Sequence, residues 1–145
     1  MREVKKGRDV QLVVTPGAGE KLFGRLHYSQ AARFGNRVEI SGQGGWDDDL
    51  NIPGSLEEEI VTAFDNVERT LAAVGATWRD VVHVNSYHVI IPPDGTFQAH
   101  NVVMADQYRK RMGGDRAPVW TQTGVTALGL PEMRVEIRAT AILEG

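Results

Sequence analysis

In the run Arg134-Val135-Glu136-Ile137-Arg138, a carboxylate sits between two cations at alternating positions. In a strand, Arg134, Glu136 and Arg138 take one face while Val135, Ile137 and Ala139 take the other. A carboxylate between two cations stays ionised, and it can orient a water or accept its proton. The same spacing also describes a solvated or subunit-facing salt-bridge ladder, and the pattern alone admits both. Asn101 is a second candidate, because it falls among Phe97, Met104 and Tyr108 on the apolar stripe of a predicted helix. A polar residue there either meets a ligand or partner chain or lies at the stripe's edge. Gly42-Gln43-Gly44-Gly45 follows a predicted strand. It is a plain turn or a place where backbone N–H groups approach an anion.

Other chemistries find little support. His83 and His88 are five residues apart on one predicted strand and so face opposite ways. With His27 and His100 they form no metal-ligand motif, and no metal or cofactor is expected. No GxSxG elbow is present, and no helix directly follows the glycine run as a dinucleotide fingerprint requires. The chain has no cysteine, which excludes disulfides and thiolate chemistry.

These side chains need elements to hold them. Val10–Val14 is β-prone and stopped by Pro16-Gly17; extended pieces follow around 26–30 and 37–43, ahead of the acidic loop 47–54. Ser55 and Glu58 have capping-box spacing. Leu56, Ile60, Ala63, Phe64, Val67, Leu71 and Val74 then recur at helical spacing up to Gly75. A buried strand is predicted over 80–91, broken by Pro92-Pro93-Asp94-Gly95, then a helix over 96–111 ended by Gly113-Gly114. Strands over 119–124 and 133–143 close the chain around a Leu130-Pro131 turn. Two helices against one mixed sheet make a two-layer α+β sandwich, with residues 1–145 as a single domain.

Composition sets the outer limits. With 145 residues, 41% hydrophobic and 24% charged, the chain can bury a real core. A net charge of −3 gives no broad footprint for nucleic acid. The charged start Met1-Arg2-Glu3-Val4-Lys5-Lys6 is not a secretory signal, and no run of about 18 apolar residues spans a membrane. The expected address is the cytosol.

Five segments, in order, resemble one family. They are Tyr28-Ser29-Gln30-Ala31, then Gly35 through Gln43 with its Ser41-Gly42-Gln43. Next come Asn66 and Leu71 to Gly75-Ala76-Thr77 with Asp80-Val81-Val82-His83-Val84, then Ala117-Pro118-Val119-Trp120, and last Arg134 through Ala139. From about residue 26 onward the chain is similar to the Rid (YjgF-type) family, whose older names include translation inhibitor and endoribonuclease L-PSP. The resemblance implies a chorismate-mutase-like fold and a homotrimer with small-molecule clefts between subunits. It also implies hydrolysis of enamines and imines such as 2-aminoacrylate and 2-iminobutanoate to 2-keto acids and ammonia. It matches Tyr28, Ser41 and Asn101 to residues of the cleft and makes Glu136 the residue that positions the hydrolytic water; Gly42 and Gln122 are further candidate substrate-binding residues beside them.

One position departs from the family. Where its deaminases carry an arginine that grips the substrate carboxylate, this chain has Trp120, whose indole offers one N–H and no charge. Losing that bidentate contact costs about 2–5 kcal/mol of binding. Arg116, Arg134 and Arg138 are the nearby cations in sequence, and Trp120 offers a stacking face for an aromatic or apolar ligand. Three functions follow as expectations: an imine-type hydrolase without the carboxylate clamp, a non-catalytic metabolite-binding trimer, or, from the family's old name alone, an RNA-cleaving enzyme. The acidic charge and lack of a basic-aromatic stripe count against the last.

Overall fold

Alternation of apolar and polar residues places the strands of this chain in one mixed sheet, in a computed structural model that describes residues 2–6, 10–93 and 95–144. Met1 of the charged start and Asp94 of the predicted breaker lie outside the described residues. The strands are β1 (Arg2–Lys6), β2 (Val10–Val14), β3 (Ala31–Phe34), β4 (Arg37–Ile40), β5 (Gln43–Gly44), β6 (Val81–His88), β7 (Val119–Gly124) and β8 (Val135–Ile142). Their order is β1-β2-β3-β4-β8-β6-β7, with β5 also on β8. The pairs are antiparallel except β6 with β7, which run parallel. A parallel pair needs a long crossover, and helix α3 (Phe97–Met112) lies within it.

The α+β class stands, with α2 (Leu56–Ala72) and α3 close to their predicted bounds. Ser55 caps α2 by accepting the Glu58 backbone N–H at 3.2 Å. Ile60, Ala63, Phe64, Val67 and Leu71 of α2 then bury one face against Ile40, Val84, Val135, Ile137 and Ala139 of the sheet. Phe64 stacks on Trp78 at 4.8 Å, and Tyr108 of α3 meets Phe64 edge-on at 5.4 Å. Full burial of the Phe64 side chain contributes about 1.5–3 kcal/mol.

Two expectations need correction. The extended piece around 26–30 is not a strand: Leu26 ends a third helix, α1 (Ala18–Leu26), and the strand begins at Ala31. Gly19 and Gly24 hide this helix from a propensity reading, since glycine disfavours helix. Tertiary contacts hold it instead: Ala18 and Leu22 pack with Trp46, Leu50 and Met133 in a second apolar cluster. Lys21 ties it down by donating to the Asp48 carbonyl at 2.7 Å and the Asp49 carboxylate at 2.6 Å.

The extended piece over 37–43 is also interrupted. Glu39 pairs with Thr140 and Gln43 with Ile137, so the register on β8 advances by one residue across Ser41-Gly42. That extra residue has the effect of a β-bulge, which bends the strand and re-aims side chains. It sits directly beside Glu136.

Candidate active site

Glu136 lies in β8, opposite Tyr87 of β6 and Gly44 of β5. Its neighbours Val135 and Ile137 are fully buried on the helix side, so Glu136 points to the other face, where it is half-buried. The bulge makes room for it. A Cβ on Gly42 would sit 2.2 Å from Glu136 Oε2, so only glycine lets the carboxylate lie against the backbone there.

The flanking cations do not hold this carboxylate down as the alternation suggested. Arg134 precedes the strand and is carried to α2, where it donates from its backbone N–H and from Nε to the fully buried Glu59, each at 2.6 Å. Its Nη2 also bonds the Pro53 and Gly54 carbonyls. Arg138 donates to Glu39 at 2.7 Å. Glu136 has no hydrogen-bond or ion-pair partner among the described residues, and burial pushes its carboxyl above the usual carboxylate range. A carboxylate of raised basicity is better suited to accept a proton near neutral pH.

Tyr28 belongs to the same patch. Its phenol is pushed up to about 12, first by burial and then by the charge of Glu136, so it remains a neutral donor. Ser41 flanks Gly42 in the bulge, but its hydroxyl donates to the Gln30 carbonyl at 3.3 Å and faces Gln43 Nε2 at 3.5 Å. Its first role is therefore to hold the bulge.

Asn101, Trp120 and Gln122 assemble elsewhere. Trp120 and Gln122 alternate along edge strand β7 beside Val84 and Ser86, which are fully buried against the helices. Gln122 Nε2 donates to Asn101 Oδ1 at 2.5 Å, which explains the polar residue on α3. The Trp120 indole N–H donates to Ser86 Oγ at 2.8 Å, and its ring packs edge-on to Tyr108 at 5.2 Å. The indole is thus pinned, with one part against the core and one part open.

Three further residues complete this network: Ser86, His88 and His100. His88 Nε2 lies 2.8 Å from Ser86 Oγ and 3.2 Å from Gln122 Nε2, and its Nδ1 lies 2.8 Å from His100 Nδ1. Gln122 donates, so His88 Nε2 accepts, leaving His88 Nδ1 to donate to His100. His100 then carries its proton on Nε2, which is buried without a partner among the described residues. Burial, then the charge of His100, depresses His88 to about 3; burial, then Arg134, also depresses His100. Both rings stay neutral. Spacing could have found them: His88 alternates with Ser86, and His100, Met104 and Tyr108 recur every four residues.

The sequence-predicted residues therefore form two patches, on opposite faces of the sheet and separated by β6. Tyr28 and the Ser41-Gly42 bulge lie on the Glu136 side, while Asn101 bonds Gln122, two residues along β7 from Trp120. Among the described residues, no group of three or more His, Asp or Glu could hold a metal, and no helix is long and apolar enough to cross a membrane.

Comparison with known proteins bears on this arrangement. The family model described as endoribonuclease L-PSP matches residues 20–143. The RutC family protein YjgH of Escherichia coli is 30% identical over 126 residues, covering 87% of this chain and 92% of the relative. A 2-iminobutanoate/2-iminopropanoate deaminase of Dermatophagoides farinae is 33% identical over 120 residues, covering 81% and 86%. The crystal structure of Rv2704 from Mycobacterium tuberculosis, a member of the YjgF family, superposes with a TM-score of 0.73. It is 26% identical, over 92% of this chain and 99% of that one. The chain belongs to the endoribonuclease L-PSP (YjgF/Rid) family.

Proposed function

We propose that this chain hydrolyses imine or enamine C–N bonds in a cleft between subunits of a cytosolic homotrimer. In this cleft the Glu136 patch of one subunit faces the Trp120 edge of its neighbour. The observation that carries this reading is the half-buried Glu136 carboxylate, unpaired among the described residues and seated against Gly42 with its basicity raised by burial. The separation of the two patches supports an assembled site, since one small ligand reaches both only if two chains meet. The deaminase activity named for the mite relative supports the reaction class.

The chemistry follows from the groups present. With the imine nitrogen protonated, Glu136 holds a water and takes its proton as the oxygen bonds to the iminium carbon and the C=N π pair moves onto nitrogen, giving a neutral carbinolamine. The same carboxyl then returns the proton to nitrogen, and as the C–N bond breaks it takes up the hydroxyl proton, so that ammonia leaves and a carbonyl remains. Tyr28, protonated throughout, donates a hydrogen bond without competing for the proton.

Substrate choice turns on position 120. Trp120 is fixed by Ser86 and Tyr108, and Arg134 is committed to Glu59. Arg138 shares the open face with Glu136 but already pairs with Glu39. The favoured substrate therefore has an aromatic or apolar body to stack on the indole, and 2-aminoacrylate is a poor one. The pinned indole and the Gln122–Asn101 bond also support a second reading, a trimer that binds such a molecule without turning it over.

Glu136→Gln separates the two. The enzyme reading predicts that the rate with imine substrates falls by about 10²–10⁴ while the trimer persists. Unchanged turnover would contradict Glu136 as the base. Altered affinity in a protein with no turnover to lose would favour the binding reading.

A further inference from the structure

On the helix side of the sheet, α1, α2 and the segment around Trp46 enclose a cavity of about 390 Å³. It is separate from the Glu136 patch. Gln43 pairs with Ile137 and shares its buried face, whereas Gly44 pairs with Glu136. Leu22, Trp46 and Ala72 give the cavity apolar walls. Its volume is in the range of small-molecule sites.

Two glutamines inside it are left half-satisfied. Gln30 and Gln43 are 1% and 4% exposed, yet both line the space. Gln30 Oε1 accepts the Thr15 backbone N–H at 2.9 Å, which fixes the amide's orientation. Its Nε2 then has only a 3.5 Å approach to the Tyr28 carbonyl, leaving one N–H open. Gln43 is oriented the other way round: Nε2 donates toward the Ser41 carbonyl at 3.3 Å, and Oε1 has no partner among the described residues. Both glutamines line one cavity, one with a second amide N–H and the other with a carbonyl oxygen that no hydrogen bond among the described residues engages.

Arg69, exposed and lining the same cavity, supplies a third group. It donates through Nη2 to Asn66 Oδ1, and Asn66 is itself held by the Gly44 and Trp46 carbonyls at 2.8 and 2.9 Å. The guanidinium is therefore steadied at the cavity with N–H groups to spare.

We propose that this cavity is a second ligand site, for a small planar cyclic amide bearing a carboxylate. The ligand's C=O accepts from Gln30 and its N–H donates to Gln43. Its ring lies among Leu22, Trp46 and Ala72, and its carboxylate reaches Arg69. This site and the catalytic reading of Glu136 stand independently.

Calorimetric titration with 2-pyridone-5-carboxylate tests it, using the full-length protein and three variants. The proposal expects one site per chain. Affinity falls about tenfold or more in Gln43→Leu, which loses the acceptor, as it would for one lost hydrogen bond. Ala72→Trp, made at an exposed helix position that lines the cavity, blocks binding without touching the core and serves if Gln43→Leu does not fold. Glu136→Gln binds the probe as the parent does. No binding at millimolar probe overturns the proposal. So does binding that Glu136→Gln weakens and Ala72→Trp leaves intact, because the probe would then occupy the other face.

Discussion

At the level of single residues, the decisive feature is what Glu136 lacks. The arginines on either side of it in sequence are drawn off to Glu59 and Glu39, so burial sets its proton affinity. The alternation of charges was legible in sequence, but the partners were not. They come from α2 and β4, 75 and 99 positions away from their arginines. Trp120 was legible as a departure, while its anchoring on Ser86 required the parallel register of β6 and β7. The neutral His88–His100 pair makes a prediction with a definite sign. The unfolded chain takes up a proton on His88 near pH 6.5, the folded chain only near 3. Between those values the unfolded state binds more protons, so this contribution is fully present above about pH 6.5 and is lost as the pH falls toward 3. In NMR, the His88 ring resonances should hold their neutral positions from pH 8 down to about 5. A transition near pH 6.5 in the folded protein would contradict the assignment.

At the level of elements, the two long helices were readable: α2 carries a stripe, a cap and a stop, and α3 a stripe of Phe97, Met104 and Tyr108 with a glycine stop. Helix α1 was not, since it is short, holds two glycines and owes its existence to Trp46, Leu50 and Met133. The bulge at Ser41-Gly42 was equally hidden. A run of serine and glycine suggests a turn, and only the pairing with β8 shows a strand that resumes one residue out of step. The join between α2 and the start of β8 depends on Glu59 and Arg134. Glu59 is fully buried and accepts two 2.6 Å bonds from Arg134. Glu59→Ala should therefore lower stability by about 3–5 kcal/mol, because it strands the cation's partly buried bonds as well as removing a carboxylate. Urea unfolding measures this. A loss below about 1 kcal/mol would mean the pair is no more than a surface ion pair.

At the scale of the whole molecule, the fold presents the Glu136 patch on one face of the sheet and the Trp120 network on the other. Family membership and the α+β class accord with what the sequence motifs implied, and assembly is the step that joins the patches in this account. Sedimentation equilibrium should give about three times the 16.0 kDa chain mass. A monomer would remove the shared cleft. The most direct test of the central claim compares the protein with its Trp120→Arg variant, measuring keto-acid release from enzymatically generated 2-iminobutanoate. The account predicts little acceleration by the parent protein and a gain of about two to three decades in the variant, as a restored bidentate clamp would give. Rapid hydrolysis by the parent, unchanged in the variant, would contradict it and show that another cation already holds the carboxylate.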